Sequence, residues 1–552
     1  MKREVFYLIW IAIAFVQNSF TQLFPDEAYY WVYSQNMAWG YFDHPPMIAA
    51  IIKAGYFLFR SELGVRLICI LLSTAFIYIM ELLIAPVNNG LYYATVFTLG
   101  ILHYYSVLAL PDVPLIFFGA CFFWVYKKYL ETFSIFNAIL LGVIIGMMLL
   151  SKYHGILIVL FTFLSFPAII KKPSIWVAFF IAGIVFLPHM LWQIYNDFPT
   201  LKFHLSERAH EVYNVSLTLE FIGSQILIFG PITGIVLLYA AYRCKVSLPF
   251  EKALKFCLIG IPLFFIMMTF KGRAEANWTS IVIIPVLYLG YKQLEGNKMY
   301  VSAMRYLLPI SVIIIFIVRI FFAHNLLPGL LQIDTGENSK EWALAVKKRA
   351  GDNPVVFMNS YQDAAEYEFY AGMPAFSIGN FRGRHSQYDL LNRECENQGK
   401  TVNVVPNYFL WGCDTFCTKR GCWQIVKLTD FRSYSNIRLH CSPEKLIVRS
   451  GDVFKADFNF TGSGICDIDC EHNIILLPVL KRVFYKQKKV YSDSVLSFKI
   501  DNAVLKSEKE HYSVSIQAPS EIGEYQLCLG ISAGWLPPTI NSNAIIVQVM
   551  AK

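Results

Sequence analysis

The chain has 552 residues, of which 56% are apolar and only 16% charged, with a formal net charge of +8, whereas an ordinary soluble domain carries roughly 25% charge. This composition excludes a disordered chain and argues against a soluble enzyme. Residues 1–324 hold 22 Lys and Arg against 15 Asp and Glu, and residues 325–552 hold 25 against 24; the excess falls in small groups between apolar runs, which points to a membrane protein and away from a nucleic-acid partner.

A bilayer core needs about 20 apolar residues per helix. Eleven runs meet or approach this, at about 5–23, 62–84, 91–110, 113–130, 134–150, 155–170, 174–194, 219–241, 254–270, 278–293 and 303–323. The first run is expected to stay in the protein, because residues 17–22 offer no small-residue cleavage pattern and ten further spans follow. The short-loop bias of Lys and Arg sets the direction. With Lys2 and Arg3 inside, Lys127 and Lys128, Lys171 and Lys172, Arg243 to Lys255 and Lys292 to Arg305 fall inside as well. An odd number of spans then puts everything after about residue 325 outside.

Eight basic residues go against that bias: Lys53, Arg60, Arg66, Lys152, Lys202, Arg208, Lys271 and Arg273. Lys53, Arg60 and Arg66 read as juxtamembrane side chains that snorkel. Lys152 in "SKYHG" and Arg273 in "KGRAEANW" stand at outer ends of spans, where a cation reaches an anionic lipid head group.

Between the first two spans lies a loop, residues 24–61, that opens "FPDEAYYWVYSQNMAWGYFDHPP". Asp26 and Glu27 are expected at the outer membrane boundary, where charge is costly unless solvated or used. Asp112 in "LPDVP" falls at the same depth by alternation. An acid before Val113 and Pro114 also reads as a helix cap. With Asp26, Glu27, Asp43 and His44, however, it makes a group of carboxylates beside cations at a lipid surface, suited to activating a hydroxyl and releasing a phosphate. The many aromatic residues of the loop read mostly as an interfacial belt. Tyr41 and Trp31, beside the acids, are the exceptions, as candidates for stacking on a ligand.

Beyond residue 325, "GENSKEWALAVKKRA" and "QDAAEYEFYAG" predict helices around a "PVVFMN" strand, a small α/β unit over 325–430. Alternating runs such as "KLIVRS", "VFKADFNF", "SVLSFKI", "YSVSIQA" and "YQLCLGI" predict a β-sandwich over 431–552. Eight cysteines lie in this tail: Cys395, Cys413, Cys417, Cys422, Cys441, Cys466, Cys470 and Cys528. Outside the membrane they predict disulfides, with zinc at Cys413, Cys417 and Cys422 as the rival. Nothing in the sequence requires a metal or other cofactor; a divalent ion on two or three carboxylates is left open.

The order "DEAYYW", "GYFDHPP", "LPDVPLIFF", "SKYHG" and "NW" resembles bacterial membrane glycosyltransferases of the GT-C superfamily. The nearest likeness is to the family of the lipid A aminoarabinose transferase, and a more distant one is to the protein O-mannosyltransferases. The resemblance spans roughly residues 5–390, and makes 1–324 a polytopic α-helical catalytic domain of about eleven transmembrane helices. It implies an inverting transfer of a sugar from a polyprenyl-phosphate donor to an acceptor hydroxyl, lipid A or another lipopolysaccharide sugar, on the periplasmic face of the inner membrane. Protein O-glycosylation is the alternative acceptor reading, and a lipid or solute transporter the alternative of another class. By the same resemblance Asp26 is the general base, with Glu27 beside it, and Asp112 orients the acceptor or stabilises the sugar's developing charge. Lys152, Arg273, His44 and Arg208 would bind the donor phosphate, and Tyr41, Asp43 and Trp31 the substrate. Where the aminoarabinose transferases carry a Lys before the Pro pair of the first loop, this chain has His44.

Overall fold

A computed structural model describes residues 2–204, 213–230, 232–324, 336–381, 383–435, 437–460, 478–486, 489–500 and 511–552. Arg208, Cys466 and Cys470 lie outside the described residues. The chain forms two compact units, Met1–Glu337 and Asn338–Lys552.

The first unit is helical. Its elements are α1 (Arg3–Phe20), α2 (Pro25–Gln35), α3 (Met47–Leu58), α4 (Glu62–Ile84), α5 (Asn89–Phe97), α6 (Gly100–Val107), α7 (Asp112–Thr132), α8 (Ile135–Ser151), α9 (Gly155–Ser165), α10 (Pro173–Tyr195), α11 (Pro199–Lys202), α12 (Val215–Ile228), α13 (Thr233–Arg243), α14 (Pro249–Met268), α15 (Ile283–Glu295) and α16 (Lys298–His324). All eleven apolar runs are helical. Among the described residues, though, only α4, α7, α10 and α16 are each long and apolar enough to cross a membrane, and α1 with α2, bent by 89°, counts as a fifth.

Two predicted spans are broken, and the breaks meet. The run at 91–110 divides into α5 and α6 at Thr98 and Leu99; the run at 219–241 divides into α12 and α13 around Gly230, whose φ of +130° favours glycine. A Cβ on Gly230 would stand 2.8 Å from the Thr98 carbonyl oxygen, and one on Gly100 3.6 Å from the Gly230 Cα. The two breaks thus lie against each other, with Gly230 too close to the Thr98 carbonyl to accept a side chain without a shift. The run at 278–293 begins instead as a 3₁₀ turn, Ala276–Val282. The predicted first loop is itself structured, since α2 and α3 occupy most of it.

The second unit contains the predicted α/β element. Strands β1 (Val355–Met358), β2 (Ala375–Ile378), β3 (Val402–Val405), β4 (Asp414–Thr418) and β5 (Gly421–Leu428) form a sheet in the order β2-β1-β3-β5-β4. β1 runs parallel to β2 and β3, and the β4–β5 hairpin is antiparallel. The helices Ser339–Ala350 and Tyr361–Ala371 match the predicted segments, the second ending at Gly372 with φ +63°.

After these come β6 (Leu439–Ser442), β7 (Lys445–Arg449), β8 (Val453–Phe460), β9 (Pro478–Lys486), β10 (Lys489–Lys499), β11 (His511–Gln517), β12 (Gly523–Ala533) and β13 (Ile545–Met550). They make a five-stranded sheet, β10-β9-β12-β13-β7, and a three-stranded one, β11-β8-β6. Phe498 on the first packs 5.2 Å from both Phe458 and Tyr512 on the second, joining the sheets face to face. Cys417 and Cys422 form a disulfide, which removes both thiolates from the zinc alternative. Cys395 is also disulfide-bonded, whereas Cys413, Cys441 and Cys528 are free thiols.

Candidate active site

Pro25 opens α2, where its missing N–H costs nothing. Two and one residues later stand Glu27 and Asp26, about 100° apart around the helix, with different surroundings. Glu27 is fully buried, and its carboxylate accepts Arg66 Nε at 2.8 Å and Nη2 at 2.5 Å. It also accepts the backbone N–H groups of Phe24 at 3.0 Å and Ala109 at 2.7 Å. Arg66, 1% exposed, donates further to the Thr21 and Gln22 carbonyls. The pair therefore ties α2, α4 and the approach to α7 together. Arg66 does not snorkel, and Glu27 holds structure with a carboxylate already full of donors. Asp26 is half-buried. Tyr104 lies within electrostatic reach of Asp112, Asp26 and Glu27, so the two acidic motifs, far apart in sequence, belong to one region of the fold.

Asp112 is the first residue of α7, behind Pro111, rather than its cap. At 2% exposure its carboxylate takes Lys152 Nζ at 2.9 Å on each oxygen, Ser280 Oγ at 2.9 Å and Asn277 Nδ2 at 3.3 Å. The helix N-terminus adds favourable field. Lys152, expected to meet a donor phosphate, thus forms a direct ion pair with this acid. Ser280 was not legible in the sequence; Asn277 was, as part of "NW". Arg273 is exposed, four residues before Asn277 and 3.8 Å from Glu275.

His44 sits among these groups, within electrostatic reach of Asp43, Lys152, His204 and Asp112. Burial lowers its pKa to about 4, so the ring is neutral near pH 7 and offers hydrogen bonding rather than charge. Its Nε2 lies 3.1 Å from the Tyr30 hydroxyl. Asp43 is buried, accepts the Tyr33 hydroxyl, and through its carbonyl meets His204 Nε2 at 3.1 Å. Tyr41 is fully buried, stacked on Tyr33 at 4.2 Å, with its hydroxyl donated to the Tyr33 carbonyl. No face of its ring is open to a sugar, which corrects the stacking expectation. Trp31 is half-buried and packs edge-on against Tyr56.

A second network fixes the first loop. The Tyr153 hydroxyl meets His189 Nε2 at 2.6 Å, and His189 Nδ1 meets the Trp39 carbonyl at 2.7 Å. Gln193 donates to Thr200 at 2.5 Å, and Thr200 to the Tyr41 carbonyl at 2.8 Å. His189, Gln193 and Thr200 are polar residues in or beside an apolar span, and that is the sequence signal that marks them. Among the described residues, no group of three or more His, Cys, Asp or Glu converges as metal ligands. Chemically the site offers a half-buried carboxylate, Asp26, and a buried acid, Asp112, paired with a lysine.

Comparison with known proteins places this geometry. Residues 43–192 match the family model described as dolichyl-phosphate-mannose-protein mannosyltransferase. The lipid A galacturonosyltransferase RgtD of Rhizobium johnstonii is 29% identical over 392 residues, 64% of this chain and 81% of that protein. Two crystal structures of ArnT from Cupriavidus metallidurans, apo and bound to undecaprenyl phosphate, superpose with a TM-score of 0.57 at 16% and 15% identity. Each covers 77% of this chain, and 96% and 97% of its own. Residues 43–192 thus match this mannosyltransferase family model, the chain is similar to a lipid A galacturonosyltransferase, and its fold is that of ArnT.

Proposed function

We propose that the protein moves a sugar, with inversion, from a polyprenyl-phosphate donor to a hydroxyl of lipid A or another lipopolysaccharide sugar. The observation that carries this is the buried Asp112 held by Lys152, Ser280 and Asn277, with the half-buried Asp26 on the other acidic motif. Asp26 accepts the acceptor's proton as its oxygen attacks the anomeric carbon; the bond to the donor phosphate breaks and the phosphate leaves. A positioned base contributes ~10²–10⁴-fold. Asp112, held rigid by Lys152, Ser280 and Asn277, orients the acceptor or faces the positive charge that develops on the sugar. Lys152, Arg273 and Arg208 supply charge toward the leaving phosphate, and neutral His44 a hydrogen bond.

The undecaprenyl phosphate in the ArnT structure supports the donor class, and the galacturonosyltransferase likeness supports a lipid A acceptor and a hexosyl group. The mannosyltransferase match over 43–192 favours, as a second reading, a protein acceptor. The setting is the bacterial inner membrane, crossed about eleven times, with the site and the second unit in the periplasm.

The test gives purified protein a radiolabelled polyprenyl-phosphate sugar and envelope extract, beside Asp26→Asn. Label should enter lipopolysaccharide with the wild type only. Unchanged transfer by the variant removes the base, and label on protein selects the second reading. A reporter fused after Lys552 should be active outside the cytoplasm; activity inside reverses the sidedness.

A further inference from the structure

We propose that the loop between β3 and β4 inserts an aromatic tip into the interface of a lipid bilayer. In residues 406–413, Phe409 is 63% and Trp411 92% exposed, and their rings meet edge to face at 5.5 Å. Rings left in water at that exposure are uncommon unless something covers them.

The tip is a built feature. Gln424 on β5, only 6% exposed, accepts the Leu410 N–H at 2.7 Å and donates to the Leu410 carbonyl at 2.8 Å and to Thr415 Oγ1 at 3.0 Å. Clamping both backbone groups of Leu410 holds the residues on either side of it, Phe409 and Trp411, outward together. Gly412, with φ +79°, turns the chain back into β4, and the Cys417–Cys422 disulfide ties the far end of that hairpin.

Two features select the occupant. Two aromatic side chains present at most about 500 Å², short of the roughly 800 Å² that each partner buries in a standard protein interface. A bilayer sets no such minimum, and tryptophan with phenylalanine suits its boundary, ring toward the acyl chains and indole N–H toward the head groups. A cation flanks the base of the tip. The helix Ser339–Ala350 ends in Lys347, Lys348 and Arg349, and Arg349 lies 4.2 Å over the Phe416 ring and 3.6 Å from Asp414, both on β4. Arg349 thus sets one cation at the base of the tip, where an anionic lipid head group can meet it. The same chain carries helices able to cross a membrane, so a bilayer is always at hand. This anchoring does not depend on the transfer reaction.

Full-length protein and its Trp411→Phe variant are reconstituted in phosphatidylethanolamine–phosphatidylglycerol vesicles with bromine near the head groups or deep in the acyl chains. Their difference in emission isolates Trp411, and the substitution, at an exposed ring, leaves the fold intact. Shallow bromine should quench that component at least twofold, deep bromine less, and aqueous acrylamide should barely reach it. A component quenched by acrylamide and indifferent to bromine overturns the proposal, placing the tip in water. One shielded from both overturns it in favour of a protein partner or a second copy of the chain.

Discussion

Asp26 and Glu27 are neighbours of the same chemistry, and the structure gives their neutral amides opposite consequences. Glu27→Gln preserves shape but leaves the Arg66 guanidinium, 1% exposed, without its counter-charge. Breaking a buried pair from one side costs about 3–5 kcal/mol. The lower end applies here, because Arg66 keeps its bonds to the Thr21 and Gln22 carbonyls. Asp26 is half-buried rather than fully buried, so Asp26→Asn should cost less stability than Glu27→Gln while turnover falls ~10²–10⁴-fold. The assay pairs initial rates of sugar transfer with thermal unfolding at a fixed scan rate in the same detergent. Asp26→Asn should melt closer to wild type than Glu27→Gln and turn over poorly. Glu27→Gln should melt several degrees lower, yet retain near-normal turnover per folded molecule at low temperature. Wild-type stability in Glu27→Gln, or a rate loss in it matching that of Asp26→Asn, would refute this division of labour.

Lys152→Met strands the Asp112 carboxylate with only Ser280 and Asn277 as donors and should destabilise by about 2–4 kcal/mol; adding Asp112→Leu should recover most of that in thermal unfolding but none of the transfer activity. His44 holds its proton more weakly folded, at about 4, than at its ordinary value near 6.5. The unfolded chain therefore takes up the proton first, so the stability due to neutral His44 is full above about pH 6.5 and lost as pH falls toward 4. Melting temperature between pH 7 and 5 should accordingly fall less steeply in His44→Gln; parallel slopes would contradict the assignment. Alkylation after denaturation without reductant should label Cys413, Cys441 and Cys528 and spare Cys395, Cys417 and Cys422, as peptide mass spectrometry would read.

Much of the architecture follows from local pattern. Apolar runs became helices because twenty consecutive apolar residues have few other ways to satisfy their backbone, and strands such as β8 and β11 lie where alternation put them. The motif acids and Lys152 were also visible, since charge at the end of an apolar run is conspicuous wherever it occurs. What sequence could not supply is partnership. Arg66 read as a snorkelling side chain and Tyr41 as a sugar platform because each was judged by its neighbours in the chain, whereas their actual partners are Glu27, 39 residues away, and the ring of Tyr33. Likewise only the packed structure brings Ser280 to Asp112, across 168 residues, or sets Gly100 against Gly230 where the breaks of two spans meet. Hydropathy and periodicity are properties of a segment, so the helices, the strands and the acids at the ends of apolar runs could all be read from the chain alone. Which carboxylate lies buried against a lysine and which stays half-buried depends on distances between segments, and those exist only once the chain has folded.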